Sequence, residues 1–136
     1  MKKALFLALS LFTIGAISLQ QAQAQSHSHF IKIPATEAEI WTEIGDQQTK
    51  LAAVVKAGKL GEAHDHGYAI RDLVKALAGM VAADKKEKAE AGAQEMTKLA
   101  DALDKASAAK SQKATEASAE SMNVAIASLK TKLEAK

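Results

Sequence analysis

The chain has 136 residues, no cysteine, and 18 lysines and arginines against 16 aspartates and glutamates. This length suits one small domain. The lack of cysteine excludes disulfides and covalent haem attachment through a Cys-x-x-Cys-His motif. The nearly balanced charge gives no electrostatic case for binding nucleic acid.

The first 24 residues have the pattern of a cleaved secretory signal peptide. Lys2 and Lys3 precede an apolar run over residues 4–19, and a small-x-small site follows at residues 22–24. The run is shorter than the roughly 20 residues that a spanning helix needs. We therefore predict a signal peptide over 1–24, a periplasmic mature chain that begins at Gln25, and no membrane insertion after cleavage.

Residues 25–35 are predicted to form an extended leader before the helical domain. Phe30, Ile31 and Ile33 alternate well enough to lie extended against a core, and Pro34 then ends the segment. The remaining residues, 36–136, form the predicted domain.

Four segments of similar length in this domain show the 3.6-residue apolar spacing of helices. We expect helices over about 36–56, 60–82, 85–107 and 112–134. A Thr36-x-x-Glu39 capping box starts the first helix, Gly58 suits a left-handed C-cap, and Asp84 suits the N-cap of the third. Short turns between such segments predict an all-α, antiparallel up-down-up-down four-helix bundle.

On each predicted helix the apolar residues form a stripe that should face the core, and these stripes combine aliphatic residues with small or flexible ones. We expect Met80, Met96 and Met122 to fill the core rather than to bind copper. Gln47 falls inside the first stripe and needs a hydrogen-bond partner if it is buried. Alanine dominates after Asp84, so close helix approach is expected. A long mobile hairpin of the third and fourth helices is the alternative.

The segment His64-Asp65-His66 is the first candidate for chemistry. Positions i and i+2 lie about 200° apart on a regular helix, so both imidazoles cannot bind one metal while the helix is intact. His66 is in register with Ile70 and points inward, whereas His64 points to a flank. One interpretation is a core histidine bonded to a facing helix plus a surface histidine.

The other interpretation is a metal site in which His64 or His66 joins a ligand from another helix. Glu62 and Asp65 are possible auxiliary ligands, and imidazole with carboxylate suits zinc, copper or nickel. By their level in the bundle, the candidate partners of His66 are Lys50, Gln47, Asp101 and Asp104. A carboxylate there favours a metal site or an ion pair, and purely apolar neighbours make His66 a spacer.

The histidines of the leader, His27 and His29, form a second candidate metal site. If the mature chain begins Gln25-Ser26-His27, the free amine, two amide nitrogens and the imidazole make a square-planar set for Cu(II) or Ni(II). A histidine can also occur there by chance, and cyclisation of Gln25 to pyroglutamate removes the amine.

One ion shared by the two pairs is not expected from the sequence. In an up-down bundle the first two helices start at opposite ends, roughly 30 Å apart. Two separate sites, or a site between molecules, remain the alternatives. No haem is expected, because the predicted fourth helix has no histidine and the first no methionine, so the ligand arrangement of cytochrome b562 is absent.

At His64-x-His66-x-x-x-Ile70-Arg71-Asp72-Leu73, with the signal and the four-helix pattern, the chain resembles small uncharacterised periplasmic proteins that accompany heavy-metal efflux systems. The resemblance implies a non-enzymatic accessory in metal handling, with a metal-efflux or other periplasmic protein as its partner. No nucleophile–base spacing supports an enzyme. The alternative function is a structural or partner-binding helical module, an adaptor or chaperone, with no metal.

Overall fold

The computed structural model describes residues 31–135, so the signal peptide, the cleavage site, His27 and His29 lie outside the described residues. Within that range the structure has four α-helices and no strand. They are α1 (Glu37–Lys56), α2 (Leu60–Ala78), α3 (Lys86–Ala108) and α4 (Gln112–Glu134). The predicted all-α four-helix bundle is confirmed. None of the helices in residues 31–135 has the length and apolar character needed to cross a membrane.

Both predicted end signals of α1 are present. The Thr36 hydroxyl accepts a hydrogen bond from the Glu39 N–H at 3.3 Å, and the Glu39 carboxylate accepts one from the Thr36 N–H at 3.2 Å. This reciprocal pair satisfies backbone donors that the first helical turn cannot use. After α1, Gly58 has a φ of 71°, the left-handed conformation that glycine adopts without a Cβ penalty.

The connection between α2 and α3 differs from the sequence prediction. Helix α2 ends at Ala78 rather than at Ala82, with Gly79 as its C-cap. Asp84 was expected to cap α3 but lies inside a short 3₁₀ helix, and the N-cap is Lys85, without a side-chain cap bond. Met80 was expected inside the core, yet it is 40% exposed because it follows the end of α2. These three predictions are wrong.

The turn between α3 and α4 is formed by three residues. Lys110 has a φ of 53°, a left-handed conformation that is uncommon for a residue with a side chain. Ser111 then caps α4, because its hydroxyl accepts a hydrogen bond from the Ala114 N–H. This turn keeps α3 and α4 adjacent.

All four helices contribute to one buried core. Met96 on α3 and Met122 on α4 are fully buried in the same cluster as Ile44 on α1 and Leu73 on α2. The alternative of a separate α3–α4 hairpin is therefore not what the structure shows. Burial of apolar surface from every helix is the main favourable term that holds the bundle together.

The contacts between α1 and α4 pair the start of each helix with the end of the other. At one end, Gln112 at the start of α4 donates to the carbonyl of Val55 at the end of α1, at 2.8 Å. At the other end, the ammonium of Lys130 lies 5.8 Å from the ring centre of Trp41, near the start of α1. This order of contacts makes the two helices antiparallel.

Two glycines mark places where neighbouring helices approach closely. A Cβ added at Gly67 on α2 would lie 2.6 Å from a methyl carbon of Leu103 on α3. A Cβ at Gly92 on α3 would lie 2.6 Å from a methyl carbon of Leu129 on α4. Each leucine therefore occupies the space that a larger residue would need, and the glycine permits the close packing.

Gly67→Ala is expected to destabilise the protein even though alanine is the better helix former. The added methyl group must displace the fully buried Leu103, and overpacking of this kind costs about 1–3 kcal/mol. That cost outweighs the gain of up to about 1 kcal/mol in helix propensity. Thermal unfolding provides the measurement.

Gly45→Ala in the exposed face of α1 is the matched control, because an added Cβ there meets nothing within 4 Å. It should raise the melting temperature. If both substitutions raise it to a similar extent, the Gly67–Leu103 contact does not limit residue size.

Candidate functional site

Helix α2 presents its two histidines to different neighbours. The partly buried His66 faces α1, where its Nδ1 lies 2.8 Å from the side-chain oxygen of Gln47. The His64 ring is instead packed edge-on against Tyr68, with the ring centres 6.4 Å apart. The expectation that His66 points inward and His64 to a flank agrees with this placement.

The contact of His66 belongs to a chain of hydrogen bonds that ends on α1. Gln47 is only 8% exposed, and its amide nitrogen donates to the carboxylate of Glu43 at 2.8 Å. Both polar ends of this buried amide are therefore satisfied, one by Glu43 and the other by His66. The sequence correctly identified Gln47 as a buried group that needs a partner and as a candidate partner of His66.

This chain of hydrogen bonds determines which ring nitrogen of His66 carries the proton. The Gln47 nitrogen must face the Glu43 carboxylate, because the opposite orientation would bring two acceptor oxygens together. The Gln47 oxygen then accepts from Nδ1–H of His66. In the neutral imidazole the lone pair consequently lies on Nε2.

The other edge of α2 carries a separate charged cluster. The guanidinium of Arg71 lies 4.5 Å from the ring centre of Tyr68, and its Nε donates to Asp72 at 2.8 Å. Partial burial, followed by the nearby carboxylates of Asp104 and Asp101, raises the pKa of Tyr68 above its usual value. Asp101 and Asp104, which the sequence offered as candidate partners of His66, thus lie near Tyr68.

The remaining predicted site residues occupy different positions. Glu62 is exposed and forms an ion pair with Lys59 at 3.5 Å. Asp65 lies beside His64, with its carboxylate oxygen 2.7 Å from Nε2 of that ring. Within residues 31–135, no three histidine, cysteine, aspartate or glutamate side chains are arranged to hold a metal ion. His27 and His29 lie outside this range.

The described part of the leader lies beside α1. Lys32, Ile33 and Pro34 line a shallow groove together with Glu39 and Glu43 of the helix. Ile31 packs against the core as predicted, but Ile33, also predicted to do so, is 38% exposed, and Phe30 lies outside the described residues. The sequence did not identify Glu43 as part of the His66 hydrogen-bond chain, although its position four residues before Gln47 places the two side chains on one helix face.

Comparisons with known proteins give no match for this chain, whether to a family model, to a curated protein or to a solved structure. The resemblance to periplasmic proteins of metal-efflux systems therefore stays a prediction.

Titration of Tyr68 measures the cluster on the α3 side of α2. Tyr68 is the only tyrosine, so ultraviolet absorbance of tyrosinate reports one group. The midpoint should lie above the unperturbed pKa of 10.0, and Asp104→Asn should lower it. A raised folded pKa contributes stability that is complete below pH 10 and is lost as the pH rises through the folded pKa. An unchanged midpoint in Asp104→Asn would contradict the assigned cause.

A double-mutant cycle measures the contact between Gln47 and His66. Gln47→Leu leaves the Nδ1–H of the partly buried His66 without its acceptor, which costs up to about 1–3 kcal/mol. His66→Leu removes the other partner, and the double variant removes both. We expect a coupling energy of at least about 0.5 kcal/mol from denaturant unfolding. Additive effects would show that the contact contributes nothing to stability.

Proposed function

We propose that this chain is a non-enzymatic helical-bundle protein that binds a transition metal ion through imidazole ligands. Copper, zinc and nickel are the metals whose chemistry suits such ligands. We assign His66 as the ligand from the described residues, with Nε2 as the coordinating atom. His64 lies about 200° around the helix and is not assigned to the same ion.

The single observation that carries this proposal is the hydrogen bond from Nδ1 of His66 to Gln47 at 2.8 Å. Histidines that bind metals almost always donate their other ring N–H to a carbonyl, a carboxylate or water, which fixes the tautomer and the ring orientation. The buried amide of Gln47, itself held by Glu43, supplies this support.

We further propose that the protein acts in the periplasm as an accessory in metal handling, after removal of residues 1–24. The pattern of the first 24 residues and the resemblance at residues 64–73 support this proposal. A metal-efflux component or another periplasmic protein would be its partner.

A structural or partner-binding module without metal is the second candidate function. It is favoured by the same hydrogen bond, because Gln47 satisfies a nitrogen of the partly buried imidazole without any ion. Val124 also leaves 60% of its surface exposed on α4, beside a groove that α3 and α4 line together. The two candidates differ in whether metal stabilises the fold.

Thermal unfolding with and without metal separates these candidates. The protein is expressed from its full sequence, purified without a histidine tag, and unfolded with Cu(II), Zn(II) or Ni(II) and without metal. A ligand at 100 times its Kd stabilises a fold by about 2.7 kcal/mol, so the melting temperature should rise. His66→Ala and His66→Gln should both abolish the rise.

His64→Ala is the matched control, and it should keep the full rise. If no metal raises the melting temperature of the parent protein, the structural candidate is correct. In that case glutamine at position 66 should retain more stability than alanine, because it can keep a hydrogen bond to Gln47.

A further inference from the structure

The three methionines of the described residues differ in their access to solvent. Met96 on α3 and Met122 on α4 lie in the core and are 1% and 0% exposed. Met80 lies between α2 and α3, belongs neither to the core nor to the side chains packed against it, and is 40% exposed. The fourth methionine of the chain, Met1, belongs to the predicted signal peptide. The fold therefore separates one accessible thioether from two inaccessible ones.

The backbone at the end of α2 holds Met80 outside the core. Helix α2 ends at Ala78, and the N–H groups of Met80 and Val81 both donate to the Leu77 carbonyl, at 2.9 and 3.2 Å. Val81 packs against the core, whereas Met80 does not. Because these hydrogen bonds join backbone atoms alone, they do not depend on the chemical state of the Met80 side chain.

Thioether oxidation is the sulfur chemistry open to this chain, since it has no cysteine. Two-electron oxidants convert methionine to its sulfoxide, which makes a flexible apolar side chain polar. With hydrogen peroxide, a sulfur lone pair attacks one peroxide oxygen, and the S–O bond forms as the O–O bond breaks. The departing hydroxide takes the proton of the transferred oxygen and leaves as water. Sulfur loses two electrons, and the peroxide gains them.

We propose that Met80 is a reversible oxidation site, at which an oxidant of the peroxide class forms the sulfoxide without unfolding the bundle. This inference is independent of the proposed metal site. A methionine sulfoxide reductase reverses the step: the sulfoxide oxygen leaves as water, and two thiols become a disulfide. Those thiols come from outside the chain, which has no cysteine. The connection between α2 and α3 thus carries a side chain that switches between an apolar and a polar form.

Oxidation of Met96 and Met122 requires the bundle to open. A small domain of ordinary stability is unfolded in only about one molecule in several thousand or fewer. Partial exposure lowers the reactivity of Met80 by a much smaller factor. We therefore expect Met80 to oxidise at least about 100-fold faster than either core methionine. This margin allows for local openings, which expose parts of a core more often than global unfolding does.

Peptide mass spectrometry after treatment with hydrogen peroxide measures this ratio. The folded protein should gain one oxygen at Met80, and in denaturant all three methionines should oxidise at similar rates. Met80→Leu should remove the rapid gain of oxygen. Met122→Leu is the matched substitution in the core and should retain it. Circular dichroism verifies that each variant is folded.

The oxidised protein tests whether the fold is retained and the step reversed. Its melting temperature should stay within a few degrees of the parent value, because changes at the surface have small effects. Methionine sulfoxide reductases for both epimers, with dithiothreitol, should restore the parent mass without denaturant. Equal oxidation rates of Met80 and Met122 in the folded protein would overturn the accessible site. A large fall in melting temperature, or reduction only after unfolding, would overturn the reversible switch.

Discussion

The hydrogen bond between His66 and Gln47 is the constraint on which the candidate site of this protein depends. It joins α1 to α2, satisfies a glutamine amide that is 8% exposed, and assigns the Nδ1 proton of the imidazole. Removing either side chain should lower the free energy of unfolding, since a buried donor or acceptor left unpaired costs about 1–3 kcal/mol. Glu43 extends the constraint along α1 to the groove that Lys32, Ile33 and Pro34 line with it.

The packing of the bundle holds this contact in place. Gly67 follows His66 directly, and a Cβ added to it would lie 2.6 Å from a methyl carbon of Leu103 on α3 and 3.9 Å from the sulfur of Met122 on α4. The backbone next to the imidazole is therefore held by two further helices. Small residues permit this close approach, so the same packing that stabilises an alanine-rich bundle also orients the candidate ligand.

Sequence patterns predicted the features that depend on local spacing. The four helices, the Thr36–Glu39 capping box and the left-handed Gly58 follow from neighbouring residues alone, and Gln47 was identified as a buried amide in need of a partner. The errors at the end of α2 arose because two sequence signals, apolar spacing and a glycine, disagree there. Apolar spacing continues past Gly79, so the end of α2 and the exposure of Met80 were missed. The position of residues 32–34 beside α1 depends on tertiary contacts, which no local pattern encodes.

Nitrogen-15 NMR of the imidazole tests whether His66 has the proposed tautomer and binds metal. We expect the neutral ring to carry its proton on Nδ1, and Zn(II) to shift the Nε2 resonance while Nδ1 stays protonated. The assignment of His66 as a metal ligand is contradicted if Zn(II) leaves the Nε2 resonance unchanged. A metal-free ring protonated on Nε2 with Nδ1 unprotonated would contradict the hydrogen-bond chain from Glu43 through Gln47.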